Sequence, residues 1–128
     1  FRPKTVAAQK IKKGNEGSDA PTLTLERTTD ILMEVNLLRK DTRWPHVVVG
    51  FAAESENLLK NAREKLERKG LNLLIANDIT ARDSGFDTET NRVILIPAQG
   101  EPESLGLMSK ARVGEEIVRR IAQLLNTD

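Results

Sequence analysis

Three lysines, Lys10, Lys12 and Lys13, flank Ile11 and precede a Gly, Asn, Ser and Asp stretch over 14–20. Clustered ammonium groups can meet the oxygens of a polyanion, and a polar, glycine-rich loop beside them can close over a phosphate. The same run also reads as a solvated basic turn. Neither GxxxxGK[ST] nor GxGxxG spacing accompanies it. His46 is the single histidine and cysteine is absent, so paired imidazoles, thiolate metal sites and thiol nucleophiles are excluded. Asp78, Asp83 and Asp87 do not meet EF-hand spacing, and the last two fall where turn chemistry alone favours Asp. Ser84 precedes Gly85 without a GxSxG elbow.

A second pair of cations stands in "NLLKNAREKLERKG". At about 100° per residue, Leu58, Ala62, Leu66 and Leu59 fall at roughly 0°, 40°, 80° and 100° and define a buried stripe. Lys65 at about 340° and Lys69 at about 20° stand at its edge, one turn apart. They read either as stems snorkelling past the core or as charges aimed at an anion along the sheet edge.

The elements that must hold these groups follow from composition and pattern. The chain has 128 residues, enough for one core, with 38% hydrophobic and 30% charged residues. Twenty basic residues against 19 acidic give no reason to expect nucleic acid or an anionic membrane as partner. Three Phe, one Trp and no Tyr argue against base-stacking platforms. No apolar run approaches the ~20 residues of a membrane span, and a cysteine-free chain fits a reducing cytoplasm.

Residues 1–21 are punctuated by Pro3, Gly14, Gly17 and Pro21 and read as an irregular loop. "TLTLE" at 22–26 alternates as a short strand. Thr28, Thr29 and Asp30 offer N-caps for a helix through about Arg39, with Ile31, Val35 and Leu38 on one face. "PHVVVGFAAE" reads as a strand buried on both faces, followed by a helix over 57–69 stopped by Gly70. "LNLLIAND" at 71–78 and "RVILIPA" at 92–98 read as two more buried strands, separated by a polar loop. Ser109 caps a last helix to about Leu125, with Val113, Ile117, Ile121 and Leu124 on one face. Strand–helix–strand repetition predicts an α/β fold, a Rossmann-like three-layer sandwich with a mainly parallel sheet. Ligands of such sheets sit at the carboxyl ends of the strands. Here those ends are 51–54, Asn77-Asp78 and the Thr28–Asp30 turn.

From "VVVGFAAESENLLKNAREKLERKGLNLLIANDI" to "GFDTETNRVILI" the residues are more specific than a generic α/β pattern. The chain resembles the C-terminal part of the bacterial phosphopantothenate–cysteine ligase domain, often fused behind a flavin-dependent decarboxylase. The matching motifs run in order: Lys10 to Lys13, Asp30 to Leu32, Val49 to Ser55, Lys65, Lys69, Ala76-Asn77 and Gly85 to Asn91. They cover nearly the whole chain.

The resemblance implies amide formation between 4′-phosphopantothenate and L-cysteine in coenzyme A synthesis. It implies CTP as co-substrate with Mg²⁺, through an acyl-cytidylate. It places Lys10 at the nucleotide and the activation step, and Thr29, Asp30, Ile31, Leu32, Phe51, Lys65 and Lys69 around the nucleotide. FMN belongs to the fused decarboxylase portion. The family's A-x-A-D segment, whose Asp is linked to nucleotide and metal, lies just upstream of Phe1, so no metal ligand is assigned in this chain. Thr28-Thr29-Asp30 stands where the family has Asn-Pro-Asp. The implied organisation is the C-terminal portion of a ligase domain, N-terminally truncated, with an active-site loop and lid at 1–21 and an α/β core at 22–128. Such a piece carries about half of the active site and is expected to be inactive alone. A cytoplasmic homodimer or higher oligomer is implied, without membrane or nucleic-acid partners. A second class stays open: a Rossmann-like nucleotide-binding or oligomerisation module without catalysis.

Overall fold

The computed structural model of the chain describes residues 1–9, 22–54, 57–78 and 88–126, with the side chains of Glu54 and Asp78 left aside. Two compact units are present, Phe1–Asp30 and Ile31–Asp128.

In the first unit β1 (Arg2–Pro3) pairs antiparallel with β2 (Leu25–Glu26). The expected strand over 22–26 is thus confined to its last two residues. Arg2 sits opposite Glu26, and its Nε donates to Glu26 Oε1 at 2.7 Å. Arg2 is exposed and Glu26 half-exposed, so the pair contributes at most ~1 kcal/mol. The Lys10–Lys13 run and the 14–20 loop lie outside the described residues.

The second unit runs α1 (Ile31–Thr42), β3 (Val49–Glu54), α2 (Leu58–Lys69), β4 (Leu73–Asp78), β5 (Thr90–Asn91), β6 (Val93–Pro97), β7 (Glu103–Ser104), β8 (Met108–Ser109) and α3 (Lys110–Leu125). Its main sheet has the order β3-β4-β6-β7, and β5 and β8 form a separate antiparallel pair. β3 and β4 are parallel, Val49 opposite Leu73 through Glu54 opposite Asp78, with α2 as the crossover. β4 meets β6 antiparallel, and β6 meets β7 antiparallel. The sheet is therefore mixed, which corrects the expectation of a mainly parallel one. β6 returns beside β4 in the opposite direction, Leu73 opposite Pro97 through Asn77 opposite Val93. Burial on both faces, from which parallelism was inferred, holds for β4 whatever the direction of its neighbours.

Strand alternation sends side chains to two cores. Val48, Ala52, Leu74, Ala76 and Ile96 meet Ala62 and Leu66 of α2, with Leu32 and Val35 of α1 packed against them. Leu73, Ile75, Val93 and Leu95 meet Val113 of α3, with Val49, Ile117 and Leu124 beside them. Ile75, Val93, Leu95 and Ile96 are almost wholly buried, each contributing ~1.5–3 kcal/mol by removal from water. Two helical faces differ from the sequence reading. In α1, Leu32 and Val35 pack, while Ile31 and Leu38 are exposed. In α2, Leu59 is half out in solvent because Leu58, Ala62 and Leu66 alone fill the sheet contact.

The helix ends are fixed as their residues dictate. Gly70 takes φ 61°, its N–H reaches Glu67 O at 3.1 Å, and Leu71 N–H reaches Leu66 O at 3.0 Å, a Schellman closure. Ser109 Oγ accepts from Arg112 N–H at 3.2 Å at the start of α3.

Candidate functional site

The carboxyl ends of β3 and β4 lie side by side because these strands are parallel and in register. Val49 faces the α3 core, so Phe51 and Ala53, two and four residues on, share that face. Phe51 is 58% exposed on a strand whose Gly50 and Ala52 are buried. Within the described sheet β3 is an edge strand.

Ala53 pairs with Asn77. Asn77 lies on the face of Leu73 and Ile75, diagonal to Phe51 at roughly 7–8 Å between Cα atoms. It is only 7% exposed, and its Oδ1 has no hydrogen-bond partner among the described residues. A buried amide oxygen left without a donor is costly and is rare in native structures. Sequence reasoning quoted Ala76-Asn77 as a motif but gave Asn77 no role. The signal was a polar residue closing an otherwise apolar strand.

Lys65 and Lys69 stand on α2, on the opposite face of the sheet, and both are half-buried, as their place at the edge of the apolar stripe requires. α2 runs back from the carboxyl ends of the strands. Lys69 therefore ends up beside Gly70 and Leu71, near the start of β4, rather than at the carboxyl edge. Lys65 lines a shallow depression of about 240 Å³ with Asn61, Glu64 and Arg68, which includes neither Phe51 nor Lys69. Leu32 of α1 comes within 3.8 Å of where a Cβ on Gly50 would lie, which brings the first turn of α1 against the start of β3. Ile31, its neighbour, is 74% exposed.

Leu32 and Lys65 thus lie on the α2 face of the sheet, Phe51 on the α3 face, and Lys69 a turn beyond Lys65. Thr29 and Asp30 are exposed and belong to the first unit, and Lys10 lies outside the described residues. Among the described residues no group of three or more His, Asp and Glu is placed to hold a metal, and no helix is long and apolar enough to cross a membrane.

A four-stranded mixed sheet with helices packed on both faces defines this unit as an α/β domain. The model of the DNA/pantothenate metabolism flavoprotein C-terminal domain family matches residues 1–125, and the chain belongs to that family. It is 42% identical over 124 residues to the coenzyme A biosynthesis bifunctional protein CoaBC of Bacillus subtilis (strain 168), covering 97% of this chain and 29% of that protein. The CoaBC protein of Vibrio vulnificus (strain YJ016) is 39% identical, with 98% and 30% covered. The chain thus spans about three tenths of the length of these curated relatives. A crystal structure of the C-terminal domain of a CoaBC protein superposes with TM-score 0.66 at 34% identity, over 80% of this chain and 48% of that one. The DNA/pantothenate metabolism flavoprotein from Streptococcus pneumoniae, at 20% identity and TM-score 0.59, shares the fold. The family read from the lysine, GFAAE and AND motifs is thus the one the comparisons give.

Proposed function

We propose that this chain supplies the nucleotide-holding half of a phosphopantothenate–cysteine ligase domain, built as a Rossmann-like three-layer sandwich and working in the cytoplasm as a homodimer or higher oligomer. In this reading the carboxylate of 4′-phosphopantothenate attacks the α-phosphorus of CTP and pyrophosphate leaves. The amine of L-cysteine then attacks the acyl carbon and CMP leaves. Mg²⁺ would offset triphosphate charge through a ligand outside this chain, and FMN would serve only the decarboxylase portion of a bifunctional protein.

The observation that carries the reading is Phe51. A phenylalanine exposed on a strand between buried neighbours is not a core residue; its ring offers a face to a base. The buried Oδ1 of Asn77 on the same sheet face, without a partner among the described residues, supports a polar ligand there. Lys65 and Lys69 would hold phosphate oxygens as compact charges, with Thr29, Asp30, Ile31 and Leu32 bordering the nucleotide. Lys10 would meet the charge that develops at the α-phosphorus. Helices packed on both faces of the sheet support the sandwich.

Calorimetry with CTP and ATP tests the proposal, on this chain and on a version extended upstream. The extended version is expected to bind CTP saturably and ATP more weakly, and Phe51→Ala to weaken CTP by roughly 10-fold, the scale of one lost stacking contact. Failure of the extended version to bind CTP overturns the reading. This chain alone is expected to release little pyrophosphate from CTP with phosphopantothenate and Mg²⁺; turnover matching an intact ligase domain would contradict the half-site assignment.

A further inference from the structure

At the amino end of the sheet, where β4 begins, lies a pocket of about 370 Å³ lined by Arg39, Arg43, His46, Asn72, Leu124 and Leu125. Four strand residues separate Leu73, the neighbour of Asn72, from Asn77, about 13 Å. Neither Phe51, Lys65 nor Lys69 borders the pocket, so it is distinct from the candidate site. Its polar lining residues all reach solvent: Arg39 and Asn72 are half-buried, Arg43 and His46 exposed.

The pocket offers donors, while the acceptors around it are already spent. The guanidinium of Arg39 gives one N–H to Gly70 O at 3.1 Å and one to His46 O at 2.6 Å. Both bonds fix its plane and leave the rest of its five N–H groups to a ligand. Oδ1 of Asn72 accepts from Val48 N–H at 2.9 Å, which sets the orientation of the amide, and its Nδ2 meets no acceptor among the described residues. The backbone of Asn72 is paired as well, its N–H with Val48 O and its carbonyl with Ala98 N–H. Arg43 ends α1 at φ 58°, a left-handed conformation that glycine adopts without strain, and places a second guanidinium at the pocket.

No lining residue is acidic. α1 and α3 both end here, and their carbonyl termini bring roughly half a negative charge each, against two full guanidinium charges. The acids closest in sequence are Asp41, which lies about 200° around α1 from Arg39, and Asp128, just beyond the end of α3. Donors from separate segments suit an acceptor with oxygens on several sides, a tetrahedral phosphate rather than a planar carboxylate.

We propose that this pocket is a second ligand site, which takes a phosphate group, free or borne on a small organic molecule, on Arg39, Arg43 and Asn72 Nδ2. It stands apart from the nucleotide reading and does not depend on it.

The test uses the upstream-extended protein, ¹⁵N-labelled and titrated with inorganic phosphate, butyl phosphate and butyrate. The Asn72 side-chain amide and the Leu71 and Leu73 backbone amides are expected to move saturably with phosphate, with butyrate at least severalfold weaker. Tighter inorganic phosphate marks the free ion as the ligand, and tighter butyl phosphate an ester. Asn72→Asp keeps the oxygen that Val48 N–H needs but turns the donor into a negative charge. It should abolish binding, read at the Leu71 and Leu73 amides. Arg43→Gln should weaken binding by roughly 10-fold, the scale of one hydrogen bond from a charged donor. Because Arg43 is exposed, that variant decides the matter if Asn72→Asp does not fold. Resonances that do not saturate, or an unchanged midpoint in either folded variant, overturn the site. So does binding that appears only after Asp128→Asn, since the cations would then serve the chain's own carboxylate. Tighter binding of butyrate overturns the phosphate class.

Discussion

A Cβ added to Gly70 would lie 2.3 Å from Oδ1 of Asn36, so the C-terminus of α2 and the middle of α1 approach closely there. Gly70 also holds φ at 61°, where an L side chain is strained. Both effects act together in Gly70→Ala, which should cost ~1–3 kcal/mol, since steric overlap adds to the backbone penalty. Gly114, inside α3, has no atom within 4 Å of its would-be Cβ. Gly114→Ala should instead stabilise by ~0.5–1 kcal/mol through helix propensity. Denaturant titration of the two variants checks the opposite signs.

Arg39 ties α1 to two backbone carbonyls. Its guanidinium donates to Gly70 O at 3.1 Å and to His46 O at 2.6 Å. Arg39→Ala should destabilise by ~1.5–3 kcal/mol, the range for hydrogen bonds from a charged donor. Arg39→Lys should recover only part, because one ammonium cannot reproduce the planar fork. Thermal unfolding of both variants separates the geometry from the charge.

Of the three proposed phosphate ligands, Lys10 is read at the bond-forming step and Lys65 and Lys69 at binding. In the intact ligase, Lys10→Gln should slow acyl-cytidylate formation by roughly 10²-fold or more, the scale for one preorganised electrostatic group. Lys65→Gln and Lys69→Gln should mainly raise KM for CTP, leaving kcat closer to that of the parent. Lys12→Gln should cost much less. Equal small effects across all four would reduce the lysines to a basic surface.

Glu116 on α3 accepts from Arg119, whose Nε lies at 3.0 Å, and Arg112 approaches it at 3.3 Å. The Arg119 hydrogen bond holds its carboxyl below the ordinary 4.5 against the opposing pull of burial, with the charges of Arg119 and Arg112 adding to the lowering. The folded value is the lower one, so the stabilisation is present above pH 4.5 and is lost as pH falls below 4.5 through the folded value. Glu116→Gln should remove that part of the acid sensitivity. Thermal midpoints of parent and variant should converge as the solution is acidified below 4.5 and differ most near neutrality.

Much of the fold was legible because its signals are local. Gly70 ends α2 as a left-handed glycine must, Ser109 caps α3 with its own oxygen, and the stripe of Ala62 and Leu66 put Lys65 and Lys69 at a half-buried edge. The ordered motifs from Val49 to Asn91 were enough to indicate the family. Tertiary structure decided what depends on which neighbour a segment finds. An apolar run reports that both faces of β4 are covered, but not the direction of the strand beside it, so β6 runs antiparallel where a parallel sheet was expected. The apolar positions of α1 and α2 outnumber those the sheet can cover, and packing selects Leu32, Val35 and Leu58 while leaving Ile31, Leu38 and Leu59 to solvent. Asn77 was invisible as a site because a hydrogen bond unmet among the described residues exists only once the chain has closed around the group that lacks it.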